Sequence, residues 1–213
     1  MSRVGRPREH GETERAALLA ATAGIIGAEG AAAVTVRRVA AAAGVSTRAV
    51  YSLFGDKDGL LRGVFTVIAE TMRRLHEAVP VADDPVTEIR PLALAYRAGA
   101  LEQPNLYEFY LGGPAAGSPP PGLDTVLASR SFERVQDTVR RCVSSGRFPG
   151  RDPQAVCMQL WALVHGLASL EVRGFLGPEP AALARWDDAV RDAVTAFQGL
   201  TACEPRRPAG SSR

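Results

Sequence analysis

Two short apolar segments separated by a glycine-containing turn constrain this chain more than any other feature of its sequence. The first, VRRVAAAA at residues 36–43, follows Thr35, and Gly44 ends it where a left-handed residue is favoured. The second, TRAVYSLF at residues 47–54, follows Ser46, which is a good N-cap residue. Two short helices joined by a tight turn of this kind are typical of a helix-turn-helix. The sequence therefore predicts this supersecondary motif.

The second of these helices is predicted to present a polar face to solvent. In a helix that starts at Ser46, the side chains of Val50 and Phe54 point inward. An exposed helix with short polar groups and one arginine near its N-terminus fits the major groove of DNA. Arg48 is the candidate for a guanine edge, Thr47 for a base or a phosphate, and Ala49 for a thymine methyl group. The outer face is predicted to carry Thr47, Arg48, Tyr51 and Ser52.

Positive charge is concentrated at the front of the chain. The net charge of the 213 residues is only +2, but residues 1–62 carry nine basic residues against six acidic ones, a surplus of three. A polyanion is therefore expected to meet this part first. The segment VGRPR at residues 4–8 resembles arms that insert arginine into a narrow minor groove, with Arg6 and Arg8 as candidates. The alternative is a tail that adds only unspecific charge, and the sequence leaves both open.

The rest of the sequence is predicted to be helical. Apolar residues recur at helical spacing, and no strand-like alternation occurs. We therefore expect an all-α fold in which a three-helix head precedes a six-helix domain. Besides the two short helices, the predicted helices span residues 12–29, 59–78, 85–101, 104–111, 123–145, 152–176 and 179–200.

These elements divide the chain into four predicted parts. Residues 1–11 are expected to be a flexible basic arm, and residues 12–62 a helix-turn-helix DNA-binding domain. Residues 63–202 are expected to form a helical dimerisation and effector domain, and residues 203–213 a disordered tail. A loop rich in glycine and proline at 112–122 interrupts the larger domain.

The run GVSTRAVYSLFGDKDGLL at residues 44–61, preceded by TVRRVAAAA, resembles the TetR family of bacterial regulators. This resemblance covers residues 12–61 and implies a DNA-binding transcriptional regulator. It also implies phosphate contacts for Tyr51 and Lys57, a helix cap at Thr35 that touches the DNA backbone, and a base contact for Arg37. Histidine is common in the family where this chain has Leu53, so one phosphate contact is expected to be missing.

Only one of the adjacent residues Arg37 and Arg38 is expected to face DNA. Neighbouring positions of a helix point about 100° apart, so both side chains do not reach the same groove. We favour Arg37, which matches the family position that reaches a base.

A second, shorter resemblance lies at residues 161–177. The segment WALVHGLASLEVRGFLG resembles a TetR subgroup with a C-terminal Trp-His-Gly motif, here Trp161, His165 and Gly166. The family resemblance implies dimerisation through the last two long helices and a small-molecule pocket in the larger domain. The apolar stripes of these two helices also favour a homodimer. A homodimer presents two recognition helices, which predicts a palindromic operator in double-stranded DNA.

Aromatic and methionine residues of the larger domain are the candidates for an effector pocket. Such residues at helical spacing are more often plain core, and a histidine on an apolar face is more often structural. Local hydrophobicity indicates that an effector, where one exists, is largely apolar. The candidates are Tyr96, Tyr107, Tyr110, Met158, Trp161 and His165.

Several other classes of protein are not favoured. The three cysteines show no CxxC spacing, so neither a disulfide framework nor a metal site is expected. No nucleotide-binding, hydrolase or metalloprotease motif occurs, so neither catalysis nor a cofactor is expected. No uncharged apolar run of about 18 residues occurs, so we expect a cytoplasmic protein without a membrane segment. His76, among charged residues, is expected to be solvated.

The family resemblance implies a repressor that a ligand releases from its operator. Ligand in the larger domain is expected to move the fourth helix, which carries the DNA-reading head. Two alternatives stay open: an activator, and a DNA-binding protein without an effector. The effector-independent protein is expected to have a completely filled helical core.

Overall fold

The computed structural model describes the backbone of residues 6–112 and 123–199, and the side chains of residues 11–110 and 132–199. Within these ranges the chain forms nine α-helices and a 3₁₀ turn at Ala31–Ala33, without a strand, so the predicted all-α fold is confirmed. The helices are α1 (Arg6–Glu29), α2 (Val36–Ala43), α3 (Thr47–Phe54), α4 (Lys57–Glu77), α5 (Val86–Glu102), α6 (Pro104–Gly112), α7 (Leu123–Ser144), α8 (Pro153–Val172) and α9 (Glu179–Gly199).

The first helix begins earlier than predicted. Residues 6–11 were expected in a flexible arm, but α1 starts at Arg6, with Pro7 in its first turn. Proline is tolerated there because the first amides of a helix have no intrahelical acceptor. The side chains of Arg6 and Arg8, the rest of the predicted arm, most of the glycine- and proline-rich loop and the predicted tail lie outside the described residues.

Side-chain caps set the ends of the two short helices, as predicted. The Thr35 hydroxyl accepts a hydrogen bond from the amide of Arg38 at 3.3 Å and caps α2. Gly44 ends α2 with a φ of 67°, which favours glycine. The Ser46 hydroxyl accepts from the amide of Ala49 at 3.3 Å and caps α3. The helix-turn-helix is therefore specified locally.

The chain forms two compact units, and their boundary differs from the predicted one at residue 62. Among the described residues, the first unit comprises those up to Ala78 and those of the segment Ala95–Glu133. It reaches beyond the head because Leu106 and Phe109 of α6 share one buried core with α1 to α4. The second unit comprises Val79–Leu94 and the residues from Arg134 onward. The functional division into DNA-binding and effector domains stays a prediction.

A buried carboxylate organises the second unit. Glu88, whose side chain is 1% exposed, accepts hydrogen bonds from the amide of Ala82 at 2.7 Å and from the hydroxyl of Thr138 at 2.8 Å. The guanidinium groups of Arg134 and Arg141 each approach it to 2.8 Å. Burial alone would raise the pKa of Glu88, but these bonds outweigh burial and hold the pKa at about 2. Glu88 therefore ties the segment before α5 to α7.

His76 is buried, so its predicted exposure was wrong. It is 2% exposed, and its ring lies 6.4 Å from that of Tyr96 and 5.9 Å from that of Phe132. The reason is helical register: Met72 and His76 are four positions apart on the buried face of α4. The charged neighbours of His76 in the sequence point away from that face, so they do not indicate whether His76 itself is exposed.

Candidate nucleic-acid interface

The outer face of α3 is polar and exposed, as predicted. Val50 is fully buried and fixes the orientation of the helix. Tyr51 is 58% exposed, although large aromatic side chains are seldom left in water without a partner. Ala49 is half-buried at the edge of this surface. The exposed side chains of the face are those of Thr47, Arg48, Tyr51 and Ser52.

The basic side chains beside this face differ in whether they have an acidic partner. The guanidinium of Arg38 donates to the Glu29 carboxylate at 3.0 Å and through a second, shorter bond. By contrast, Arg37 and Arg48 are exposed, and no ion pair or hydrogen bond of their side chains occurs within the described ranges. Unpaired cations beside an exposed polar helix leave charge available for a polyanion. The pairing of Arg38 supports the choice of Arg37 as the residue that faces DNA.

The start of α4 contributes a further basic group. Lys57 is the first residue of α4 and has no ion pair within the part of the chain that the structure describes. Asp56 caps this helix by accepting from the amide of Gly59 at 2.7 Å. A lysine at a helix N-terminus suits a phosphate group. Thr35, at the start of α2, is also exposed.

Arg15 positions the end of α3 and was not found from the sequence. Its guanidinium lies 4.5 Å from the centre of the Phe54 ring and donates to the carbonyl oxygen of Leu53 at 3.2 Å. The contact spans 38 residues along the chain and involves a backbone acceptor, so no local pattern reveals it. Leu53 itself packs against the core of the first unit, which explains an apolar residue at this position.

Three of the pocket candidates lie in the first unit. Tyr96 and Tyr107 are each 2% exposed, and their ring centres are 6.1 Å apart. Burial raises the pKa of Tyr96, so its hydroxyl stays protonated. Tyr110 is half-buried and stacks on Phe65 with 4.8 Å between ring centres. Tyr107 also borders a cavity of about 170 Å³.

The other three pocket candidates lie in the second unit. Met158 is 53% exposed and borders an open groove of about 400 Å³ between α7 and the start of α8. Trp161 and His165 are half-buried, with ring centres 4.6 Å apart. Burial lowers the pKa of His165 to about 4, so the imidazole is neutral at physiological pH. The structure therefore brings candidates together within each unit: Tyr96 with Tyr107, and Trp161 with His165.

The helix α8 exposes much of its apolar surface. Its buried residues Val156, Leu160, Val164 and Ala168 follow every fourth position and form one narrow stripe. Contrary to the expectation that no such segment occurs, the helix is long and apolar enough to cross a membrane by length and composition, with a mean hydropathy of 1.4. Only 22% of that window is buried. Its apolar content therefore exceeds what its contacts within the described part of the chain require.

No group of three or more histidine, cysteine, aspartate or glutamate side chains that suits a metal ion occurs among the residues that the structure describes. The half-buried Cys157 has its thiol pKa raised to about 11 by burial, so it is protonated at physiological pH.

Two family models match the chain. One, described as "Bacterial regulatory proteins, tetR family", matches residues 18–64, which include α2 and α3. The other, described as "Tetracyclin repressor-like, C-terminal domain", matches residues 89–193. The chain is also 26% identical over 207 residues to the HTH-type transcriptional regulator Rv1816 of Mycobacterium tuberculosis, covering 83% of this chain and 88% of that protein. The HTH-type transcriptional regulator Mb1846 of Mycobacterium bovis gives the same values.

Solved structures share the fold. A protein of unknown function from Rhodococcus sp. RHA1 superposes with a TM-score of 0.73 at 23% identity, covering 91% of this chain and all of that one. The TetR family transcriptional regulator PfmR from Thermus thermophilus superposes with a TM-score of 0.62 at 21% identity, covering 94% of this chain and 100% of that one. At these identities the likeness establishes the fold.

Proposed function

The chain belongs to the TetR family of DNA-binding transcriptional regulators, and from this premise we propose that it is a cytoplasmic repressor. It binds a palindromic operator as a homodimer and leaves the operator when a small, largely apolar ligand binds. It acts as a regulator and not as an enzyme. The segment with Trp161, His165 and Gly166 supports a place in the subgroup with a C-terminal Trp-His-Gly motif.

The observation that carries this proposal is the exposed α3 face with unpaired cations on either side of it. Arg48 lies one residue after the N-terminal residue of α3, where a helix in the major groove presents its side chains to base edges. Arg37 and Lys57 carry charge on the flanking helices, in positions suited to phosphates or a neighbouring base. The phosphate contacts position the head, and Arg48 reads the sequence.

The surplus apolar surface of α8 supports the homodimer. Helix α8 packs against α9 within one protomer, and apolar residues still remain exposed on it. A Cβ atom on Gly166 would meet nothing within 4 Å, so the protomer leaves open space beside this residue. Pairing two copies through these helices buries the surface in a four-helix arrangement. We prefer this partner to a lipid bilayer, because α8 already buries one stripe in its own protomer.

Release by a ligand is supported by unfilled space in the first unit. An effector-independent DNA-binding protein needs no cavity, whereas one of about 170 Å³ borders α4. Helix α4 begins directly after α3, so a shift of α4 moves the DNA-reading head. The two heads of a dimer then lose the spacing that the operator requires.

Selection of bound duplexes from a random pool with the purified protein tests this function. We expect an imperfect palindrome whose half-sites lie about 34 Å apart or at a multiple of that distance. Addition of a releasing ligand is expected to lower the affinity for that duplex. Recovery of unrelated sequences at both low and moderate salt would refute the proposal.

A further inference from the structure

The first unit contains a cavity of about 170 Å³. Its size is close to that of an apolar protein cavity of about 150 Å³ that binds benzene. The cavity therefore has room for one small ring or a short branched chain, and it opens to solvent where Val67, Glu102 and Gln103 are exposed. Its lining comes from α1, α4, the end of α5, and α6: Ala23, Val64, Val67, Ile68, Thr71, Met72, Gly99, Glu102, Gln103, Leu106 and Tyr107.

The polar groups of this lining favour one kind of ligand. Glu102 is exposed, and its carboxylate has no ion pair within the described ranges; no arginine or lysine lines the cavity. The hydroxyl of Thr71 donates to the carbonyl oxygen of Val67 at 2.9 Å. Arg74, outside the lining, donates to Thr71 at 3.4 Å and to a backbone carbonyl of its own helix. A ligand with an apolar body and an amine directed at Glu102 matches these groups.

The cavity lies between helices that position α3. Ala23 reaches it from α1, the helix whose Arg15 contacts the end of α3. Close to the same place, the side-chain amide of Asn105 donates to the carbonyl oxygen of Gly27 at 2.7 Å and joins α6 to α1. Half of the remaining lining residues belong to α4, which follows α3. A molecule in the cavity therefore contacts both helices that hold the DNA-reading helix.

We propose that this cavity binds a small aromatic or branched aliphatic amine, with the ammonium group at Glu102, and that binding weakens the grip of the protein on DNA. The effect on DNA rests on the proposed function, whereas the binding site stands without it. The ligand acts by changing how α1 and α4 hold α3, since both helices line the cavity.

Benzylamine, toluene and benzoate probe the site on the full-length protein without DNA. These molecules share the ring but carry a positive, no and a negative charge. Because Glu102 is exposed, we expect benzylamine to bind about two- to fivefold tighter than toluene, with benzoate weakest. Equal binding of the three probes, or no binding of any, would overturn the proposal.

Variants locate the binding. Glu102→Gln is expected to abolish the preference for benzylamine, whereas Glu133→Gln, a carboxylate outside the lining, is expected to retain it. Ala23→Leu is expected to fill the cavity and weaken all three probes about tenfold. If Ala23→Leu does not fold, Glu102→Gln alone tests the site. A preference for benzylamine that persists in Glu102→Gln would show that the amine binds elsewhere.

Reciprocity tests the effect on DNA. Saturating benzylamine is expected to weaken binding of the selected duplex about fivefold or more, and the duplex is expected to weaken benzylamine by the same factor. Unchanged affinities would overturn the regulatory part of the proposal. A protein that binds benzylamine through Glu102 but prefers no duplex would instead refute the proposed function and leave the site intact.

Discussion

A Cβ atom on Gly59 would lie 1.8 Å from the carbonyl oxygen of Phe54. The first turn of α4 therefore approaches the last residue of α3 more closely than any side chain allows. One turn later, a Cβ atom on Gly63 would lie 2.6 Å from a methyl group of Leu19 on α1. These two glycines seat α4 directly on the DNA-reading head, so the head follows movements of α4.

Gly59→Ala is expected to force α3 and α4 apart. The clash is with backbone, which cannot turn away as a flexible side chain does, so we expect a loss of about 1–3 kcal/mol in the free energy of unfolding. Duplex affinity is expected to fall as well, because α3 no longer lies at its original angle. Urea denaturation and a binding titration measure the two effects.

Gly24→Ala is the matched control for this variant. Gly24 lies inside α1 with nothing within 4 Å of an added Cβ atom. Alanine is the better helix former there, so we expect a gain of about 0.5–1 kcal/mol and unchanged duplex affinity. If Gly59→Ala behaves like Gly24→Ala, the close seating of α4 on α3 is wrong.

Arg48→Ala and Tyr51→Ala separate base reading from backbone contact. Arg48→Ala is expected to relax preference at one base position by about 1–3 kcal/mol, because a bidentate contact to guanine is lost. Tyr51→Ala is expected to weaken binding to all duplexes alike, as loss of a phosphate contact does. Titrations against every single-base variant of the selected duplex distinguish the two. Uniform losses for Arg48→Ala would assign this arginine to phosphate alone.

Arg37→Ala and Arg38→Ala form a matched pair on adjacent positions of α2. Arg37 has no acidic partner within the described ranges, so its loss is expected to weaken duplex binding and to lower the salt slope by about one if it meets phosphate. Arg38 is held by Glu29, and its loss is expected to leave duplex binding nearly unchanged. The reverse order of effects would show that Arg38 faces DNA.

Glu88 is expected to make the free energy of unfolding depend on pH in the acid range. Its pKa is about 2 in the folded protein against an ordinary 4.5, so the stabilisation is complete above about pH 4.5 and is lost as the pH falls toward 2. The difference corresponds to about 3 kcal/mol. Glu88→Gln is expected to remove this contribution and flatten the acid side of the stability profile. Asp137→Asn, which breaks an exposed pair with Arg140, is the control and is expected to leave that profile nearly unchanged.

Gly166→Gln tests the pairing of two protomers through α8. Space beside Gly166 is open in one protomer, so glutamine is tolerated there and favours the helix. In a dimer the added side chain meets the partner, and light scattering is expected to show a monomer. Gly24→Gln, the same substitution in an open position of α1, is expected to stay dimeric. A wild-type protein that is monomeric at micromolar concentration would contradict the pairing.

Local features of the sequence predicted the helix-turn-helix well. Its ends are set by Thr35, Gly44 and Ser46, each acting on atoms within a few positions along the chain. The outward face of α3 followed from the buried Val50 by helical periodicity alone. Features that depend on such short separations along the chain can be predicted from the sequence without knowledge of the tertiary structure.

Contacts between segments far apart in the sequence could not be predicted from the sequence. Arg15 acts on Leu53 across 38 positions, and Glu88 meets Arg141 across 53. His76 looked polar by its neighbours but faces a core completed by Tyr96 and Phe132. In the same way, the cavity bordered by Glu102 depends on how separate helices pack around it. Such features follow from tertiary packing, which periodicity does not encode.

A competition titration of the selected duplex against a scrambled duplex of the same composition tests most directly whether α3 reads DNA sequence. At low and at moderate salt, the protein is expected to prefer the selected duplex by about a thousandfold or more, and this preference is expected to persist as salt weakens both affinities. Equal affinities for the two duplexes at both salt concentrations would contradict it.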